Sequence, residues 1–255
     1  MSQSPTRVAV IAGAGNDIGL AVARKLAGHG YRIAVVDRTE ALCYRTLEAV
    51  SAAGGQAQVF PGDVRLIHEA EAVMTRIAEQ LGEPSVLVNN TSQLPDFAPS
   101  SLPGAEEDWD GTLRAGLRAP YLLSAAARRY LVGQGWGRIV NVARPQAGGE
   151  RGDLAAAAAT DGVRGLTRAL AVDLGPHGVT VNAVLPGLIA TDSARTAADC
   201  LGVSFEDARK DVLERIPLGR PGTPEEVADA VWFFASEAAD YVSGQVLHVA
   251  GGPVA

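Results

Sequence analysis

Val8-Ala9-Val10-Ile11-Ala12-Gly13-Ala14-Gly15-Asn16-Asp17-Ile18-Gly19 decides how the chain is read. Its first part is a short apolar run rich in β-branched residues, which predicts a buried strand. A glycine-rich turn follows. Ile18, Val22 and Leu26 then recur at helical spacing, so the turn opens a helix over 18–28. Glycine lets a turn adopt dihedrals closed to other residues and lets the backbone come close to a ligand. Helix N-terminal amides favour a phosphate. A second β-rich run, Arg32–Val36, is followed by Asp37. An acid at about this distance beyond the turn bonds a ribose 2′-hydroxyl and repels a 2′-phosphate, which favours NAD over NADP. Arg38 softens that preference.

Outward from this unit, short apolar runs alternate with helical stretches. Strands are predicted at 8–12, 32–36, 56–60, 86–89, 137–142, 179–184 and 245–249. Helices are predicted at 18–28, 69–81, 113–131, 162–174 and 205–215, with the alanine run 155–159 opening the fourth of these. Such alternation builds βαβ units with right-handed crossovers. The expected architecture is α/β: one Rossmann-like, doubly wound parallel sheet of about seven strands, with helices on both faces. Neither a linker nor an internal repeat divides the sequence, so 1–255 is read as one domain. The irregular segment 188–217, after the sixth strand, is read as a lid, because long helix-bearing excursions are often functional.

Composition removes several classes of function. The chain has 255 residues, a formal charge of −7 and a pI near 5.1. An acidic surface argues against nucleic-acid and anionic-membrane partners. No apolar run approaches the ~20 residues of a membrane span. Residues 1–7 lead directly into the first strand without a signal-peptide pattern. The two cysteines, Cys43 and Cys200, have neither disulfide-framework nor metal spacing, so no metal site and a cytoplasmic location are expected.

Several motifs together resemble the short-chain dehydrogenase/reductase family, and the likeness covers nearly the whole chain. Residues 12–19 resemble its T-G-x-x-x-G-x-G motif, with Ala12 for Thr and Asp17 for the middle Gly. Asp63-Val64 resembles its adenine-contacting pair. Asn89-Asn90-Thr91-Ser92 resembles N-N-A-G. Pro186 to Thr191 resembles P-G-x-x-x-T, whose Thr faces the nicotinamide amide. The resemblance implies that Gly13, Asn16, Ile18, Gly19, Asp37, Asp63, Val64, Asn89, Pro186 and Thr191 hold NAD. Asp17 is expected to cap the first helix or to favour its positive end. The same carboxylate repels a pyrophosphate, by ~1 kcal/mol per charge pair at about 4 Å in water. The NAD site is therefore expected to be weakened, and whether NAD is bound at all stays open.

The family's proton chemistry uses Asn, Ser, Tyr and Lys side chains. A phenol with a pKa near 10 needs a neighbouring cation to work near neutral pH. In this sequence the corresponding positions read Gly116, Arg144, Ala157 and Asp161. Tyr121 and Tyr130 lack a Lys four residues on, holding Ala125 and Gln134 there. Arg144 is expected either to pair with Asp161 across the space left at Ala157, or to clamp an anionic ligand. The histidines His29, His68, His177 and His248 fall on none of the family's catalytic positions.

The expected function is therefore a non-catalytic subunit. It would form a homo- or hetero-oligomer, a dimer or tetramer, with an active paralogue of hydroxyacyl-CoA or aromatic-acid breakdown. Two alternatives stand beside it. One is a repurposed dehydratase, isomerase or cyclase using Asp153, Asp161 or Arg144. The other is an NAD-sensing scaffold without turnover.

Overall fold

β1 (Val8–Ala12) is buried over its whole length, and its side chains alternate between two cores. Ala9 and Ile11 pack with helices α1 (Asp17–Gly28), α2 (Glu40–Ala52) and α10 (Pro224–Ala235) on one face of the sheet. Val8, Val10 and Ala12 pack on the other face with α3 (Ile67–Gln80) and α5 (Ala119–Gly133). Alternation with both faces apolar is the requirement of a covered parallel strand. Each fully buried Leu, Ile or Val contributes ~1.5–3 kcal/mol.

The remaining strands are β2 (Arg32–Val36), β3 (Ala57–Val59), β4 (Pro84–Asn89), β5 (Gly137–Val142), β6 (Val179–Pro186) and β7 (Val246–Val249). All seven are parallel and lie in the order β3-β2-β1-β4-β5-β6-β7. The expected doubly wound sheet is present. Its order reverses between β1 and β4, which places the crevice at a switch point just beyond Ala12 and Asn89. This computed structural model describes residues 7–91, 106–143 and 154–253, Leu201 and Val203 excepted. Among them, no helix is long and apolar enough to cross a membrane.

Several helices differ from the sequence expectation. α2 was not predicted, because only Cys43, Thr46 and Val50 are buried along it and the apolar stripe is thin. Burial pushes the Cys43 thiol up to about 12, leaving it inert. The expected helix over 113–131 is α4 (Glu106–Leu113), a π-helical turn (Arg114–Arg118) and then α5. α6 (Leu154–Leu174) begins at the alanine run, as predicted.

The lid holds an unpredicted α7 (Asp192–Cys200). Its single expected helix at 205–215 is instead α8 (Phe205–Ala208) and α9 (Lys210–Leu213). Arg209 between them leaves helical geometry at φ −121° and ψ 13°. The lid carries its own small core of Ala194, Ala198 and Phe205.

Candidate functional site

The glycine-rich turn is built by close backbone packing. Gly13 has φ +75°, and a Cβ there would lie 2.0 Å from the Asn90 carbonyl oxygen. A Cβ on Gly19 would lie 2.4 Å from the Gly13 carbonyl oxygen. Both positions therefore require glycine to bring β1, β4 and α1 together. Asn16 caps α1: its Oδ1 accepts from the Gly19 N–H at 2.9 Å, and its Nδ2 donates to the Gly13 carbonyl at 2.8 Å. Asn90 Nδ2 donates to the same carbonyl at 2.8 Å and to Asn16 Oδ1 at 3.0 Å. The sequence reading left Asn90 without a role, although it lies within the quoted N-N segment.

Of the two places expected for Asp17, the structure gives it the second: Asn16 is the cap, and Asp17 stands in the first turn, where an acid suits the helix dipole. Its carboxylate accepts from Arg45 at 2.6 Å and from the Asp192 N–H at 2.5 Å. The Ile18 side chain is buried in the core, and its N–H is one of the helix's donors without an intrahelical acceptor.

Asp37 closes the far side of the turn. Its Oδ2 accepts from the Gly15 N–H at 3.0 Å, and its Oδ1 from the Arg38 N–H at 2.7 Å. Asp63 is gripped by Arg65 through Nε at 2.7 Å and Nη2 at 2.6 Å. These bonds hold its carboxyl below the usual carboxylate range. Val64 is buried against β1 and α3. Pro186 ends β6, and Thr191 Oγ1 accepts from the Ala194 N–H at 3.2 Å, at the start of α7.

Asn89 faces the core rather than the crevice. Its Nδ2 donates to Asn141 Oδ1 at 2.8 Å, and Asn141 Nδ2 donates to Thr167 Oγ1 at 2.9 Å. This buried chain ties β4, β5 and α6 together beneath the site. Asn90 Oδ1 is buried beside the turn with no donor among the described residues.

Three of the four positions expected to correspond to the family's proton-transfer groups lie among the described residues. Gly116 is buried in the π turn. Ala157 is half-buried on α6. Asp161 is exposed and pairs with Arg164 at 3.4 Å, one turn along the same helix. Among the described residues its partner is Arg164; the expected pairing with Arg144 involves a residue outside them. Arg144 and Asp153 lie outside the described residues, as does Ser92. Thr91 was also unassigned; its hydroxyl donates to the Ala115 carbonyl within the π turn at 2.8 Å. Tyr121 is exposed, and Tyr130 meets Arg129. His29 stacks on Trp232 at 3.7 Å, while burial lowers the pKa of His248 on β7.

A crevice at the switch point with this turn is the frame of a dinucleotide-binding α/β fold. The family described as enoyl-(acyl carrier protein) reductase matches residues 13–253. The chain belongs to the short-chain dehydrogenase/reductase family.

It is 37% identical to the short-chain reductase protein NovJ of Streptomyces niveus, over 98% of this chain and 94% of that protein. It is 34% identical to the 3-oxoacyl-[acyl-carrier-protein] reductase FabG of Pseudomonas aeruginosa, covering 96% of each. A crystal structure from Beutenbergia cavernae, described as a putative NAD(P)-dependent gluconate 5-dehydrogenase, carries NADP at low occupancy. It superposes with a TM-score of 0.86 at 34% identity, covering 98% of this chain and 97% of that one.

These similarities overturn the expected non-catalytic subunit. Relatives spanning nearly the entire chain are named reductases and dehydrogenases, which points to an active oxidoreductase. The same finding displaces the repurposed lyase or isomerase and the sensor without turnover. The physical reason is that hydride transfer depends first on the frame that seats the dinucleotide, and that frame is present here in full register.

Proposed function

We propose that the chain is a nicotinamide-dependent oxidoreductase acting on a carbonyl or secondary alcohol in a small acyl or sugar-acid substrate. The observation that carries this is the β1–α1 turn. Gly13 and Gly19 are held where no side chain fits, and Asn16 takes the Gly19 N–H while the Ile18 N–H keeps no intrahelical acceptor. The turn fits a dinucleotide. Ile18 N–H is assigned to a phosphate, Asp37 to the adenosine ribose, Asp63 and Val64 to adenine, and Pro186 and Thr191 to the carboxamide. When bound, the nicotinamide supplies or accepts the hydride. Asp37 favours NAD, and its Arg38 neighbour keeps NADP within reach.

The proton step differs from that of the family pattern. Gly116, Ala157 and Asp161 carry no group that can act like its Asn, Tyr and Lys, and Arg144 replaces its Ser. Ala157 has no proton to give, and Asp161 is turned to solvent with Arg164. Proton exchange at the substrate oxygen is therefore assigned to water or to the substrate's own groups. Losing a positioned general acid costs ~10²–10⁴ in rate, so turnover is expected to be slow. Self-association is proposed through the groove between α4, α5 and α6, where Leu113, Leu117, Tyr121 and Leu166 are bordered by Asp110, Arg114 and Arg118.

The test uses the purified full chain with deuterated NADH or NADPH and two substrates, a 3-oxoacyl thioester and a 5-keto sugar acid. Mass spectrometry follows deuterium arriving at the carbonyl carbon. Label in either product supports the proposal. Label in neither, with nucleotide binding measured by calorimetry in the same sample, refutes it.

A further inference from the structure

The family pattern has glycine where this chain has Asp17, and the structure shows what that carboxylate does. It is the meeting point of three elements. Its Oδ1 accepts from Arg45 Nη1 of α2 at 2.6 Å, and its Oδ2 accepts from the backbone N–H of Asp192, the first residue of α7, at 2.5 Å. Arg45 Nη2 closes the ring by donating to Asp192 Oδ2 at 2.9 Å. The Asp17 side chain is only 10% exposed, whereas those of Arg45 and Asp192 are 56% and 72% exposed. The Asp17 bond raises the pKa of the Arg45 guanidinium, so that partner stays charged.

α2 is itself pinned to the turn, because Thr46 Oγ1 donates to the Ala14 carbonyl at 2.6 Å. The base of the cluster is thus fixed to the dinucleotide turn. Its other side is the lid, whose small core of Ala194, Ala198 and Phe205 is separate from the two cores that flank the sheet.

We propose that Asp17 is a positioning residue that latches the lid. Compensated by Arg45, its carboxylate holds the N-terminus of α7 down against the turn and slows the opening of 192–200. A helix N-terminus attracts an anion, and here the protein supplies one of its own. Asp17 is therefore more than a source of repulsion for phosphate: it is spent on a contact that closes the crevice. The latch concerns the chain alone and does not depend on the proposed reaction.

Hydrogen exchange on the full chain without nucleotide tests this, comparing Asp17→Gly, Asp17→Asn and Arg45→Ala with the parent. Opening free energies are read directly from such exchange. In Asp17→Gly, the amides of Asp192 and the first turn of α7 should exchange about tenfold faster or more, while the β4 amides stay unchanged as a folding reference. Asp17→Asn keeps an acceptor for the Asp192 N–H and should recover most of the protection. Arg45→Ala should fall between the two. Exchange at α7 within about twofold of the parent in both Asp17→Gly and Arg45→Ala, with β4 intact, overturns the latch. So does equal loss of protection in Asp17→Gly and Asp17→Asn.

Discussion

Replacing Asn16 probes the turn at the residue on which most of its bonds converge. The side chain accepts from Gly19 N–H and Asn90 Nδ2 and donates to the Gly13 carbonyl. In Asn16→Ala the lost cap costs ~1 kcal/mol. Each of the other two bonds contributes ~0.5–1.5 kcal/mol. Those terms are discounted, because Asn90 Nδ2 and the Gly13 carbonyl still hold each other at 2.8 Å. The net loss is about 2 kcal/mol, which lowers the melting temperature of a domain of this size by ~4–8 °C. Asn16→Asp keeps the acceptor and places a charge that the helix dipole favours, so its loss should stay below ~1 kcal/mol. Nucleotide affinity should follow a different order. The added carboxylate repels a phosphate by ~1 kcal/mol at about 4 Å, which weakens NADH about fivefold relative to the parent. Thermal scans and NADH titrations of both variants measure the two orders. A melting temperature for Asn16→Ala within ~1 °C of the parent would refute the account of the turn.

Two further substitutions separate other contributions. Gly13→Ala places a methyl 2.0 Å from the Asn90 carbonyl oxygen at φ +75°. Left-handed backbone and overpacking together cost ~2–5 kcal/mol, whereas Gly28→Ala, with open space around it, should change stability little. Equal denaturation midpoints for the two would sink that reasoning. Glu226 caps α10 with Thr223 and is held by Arg220 at 2.6 and 3.0 Å, which lowers its pKa to about 2. Because the folded value lies below the unfolded ~4.3, its stabilisation is present above that pH and fades as pH falls toward the folded value. Glu226→Gln should therefore flatten the acid limb of a stability–pH curve between about pH 5 and pH 2. An unchanged limb would contradict the assignment.

Much of the frame was legible because period and chirality constrain it. β1 and β4–β6 are buried on both faces, so their apolar runs stand out, and right-handed crossovers leave few orders for seven parallel strands. α2 and α7 were not legible, since exposed surface helices that bury few residues leave little periodicity. At the site, glycines speak plainly in sequence because only they permit these approaches. Asp17 does not: its partners Arg45 and Asp192 lie 28 and 175 residues along the chain from it, and nothing local announces them. Asp161 shows a contact that spacing alone could have offered: Arg164 lies one helical turn away, at i+3.

The π turn Arg114–Arg118 is held by backbone and packing at its buried Gly116. Pro120 follows Gly116 by one α-helical bond, and proline has no N–H to give the carbonyl of the residue four before it. A regular helix over 113–131 was therefore unavailable, and Pro120 was the signal that should have divided it. The backbone widens instead: the Ala119 N–H donates to the Arg114 carbonyl, five residues back. The Ala115 carbonyl, which an α-helix would have given to Ala119, is released from the ladder. Thr91, at the end of β4, donates its hydroxyl to that carbonyl at 2.8 Å. On the other side, α6 approaches so closely that a Cβ on Gly162 would lie 2.6 Å from Leu117. The irregular turn is thus held by packing from α6 and by a hydroxyl from the switch-point strand, with no help from a side chain at 116. Irregular helix turns of this kind concentrate at functional sites. The turn at 114–118 is therefore fixed through backbone and packing, and Thr91→Val should loosen it by removing the hydroxyl that the Ala115 carbonyl accepts from.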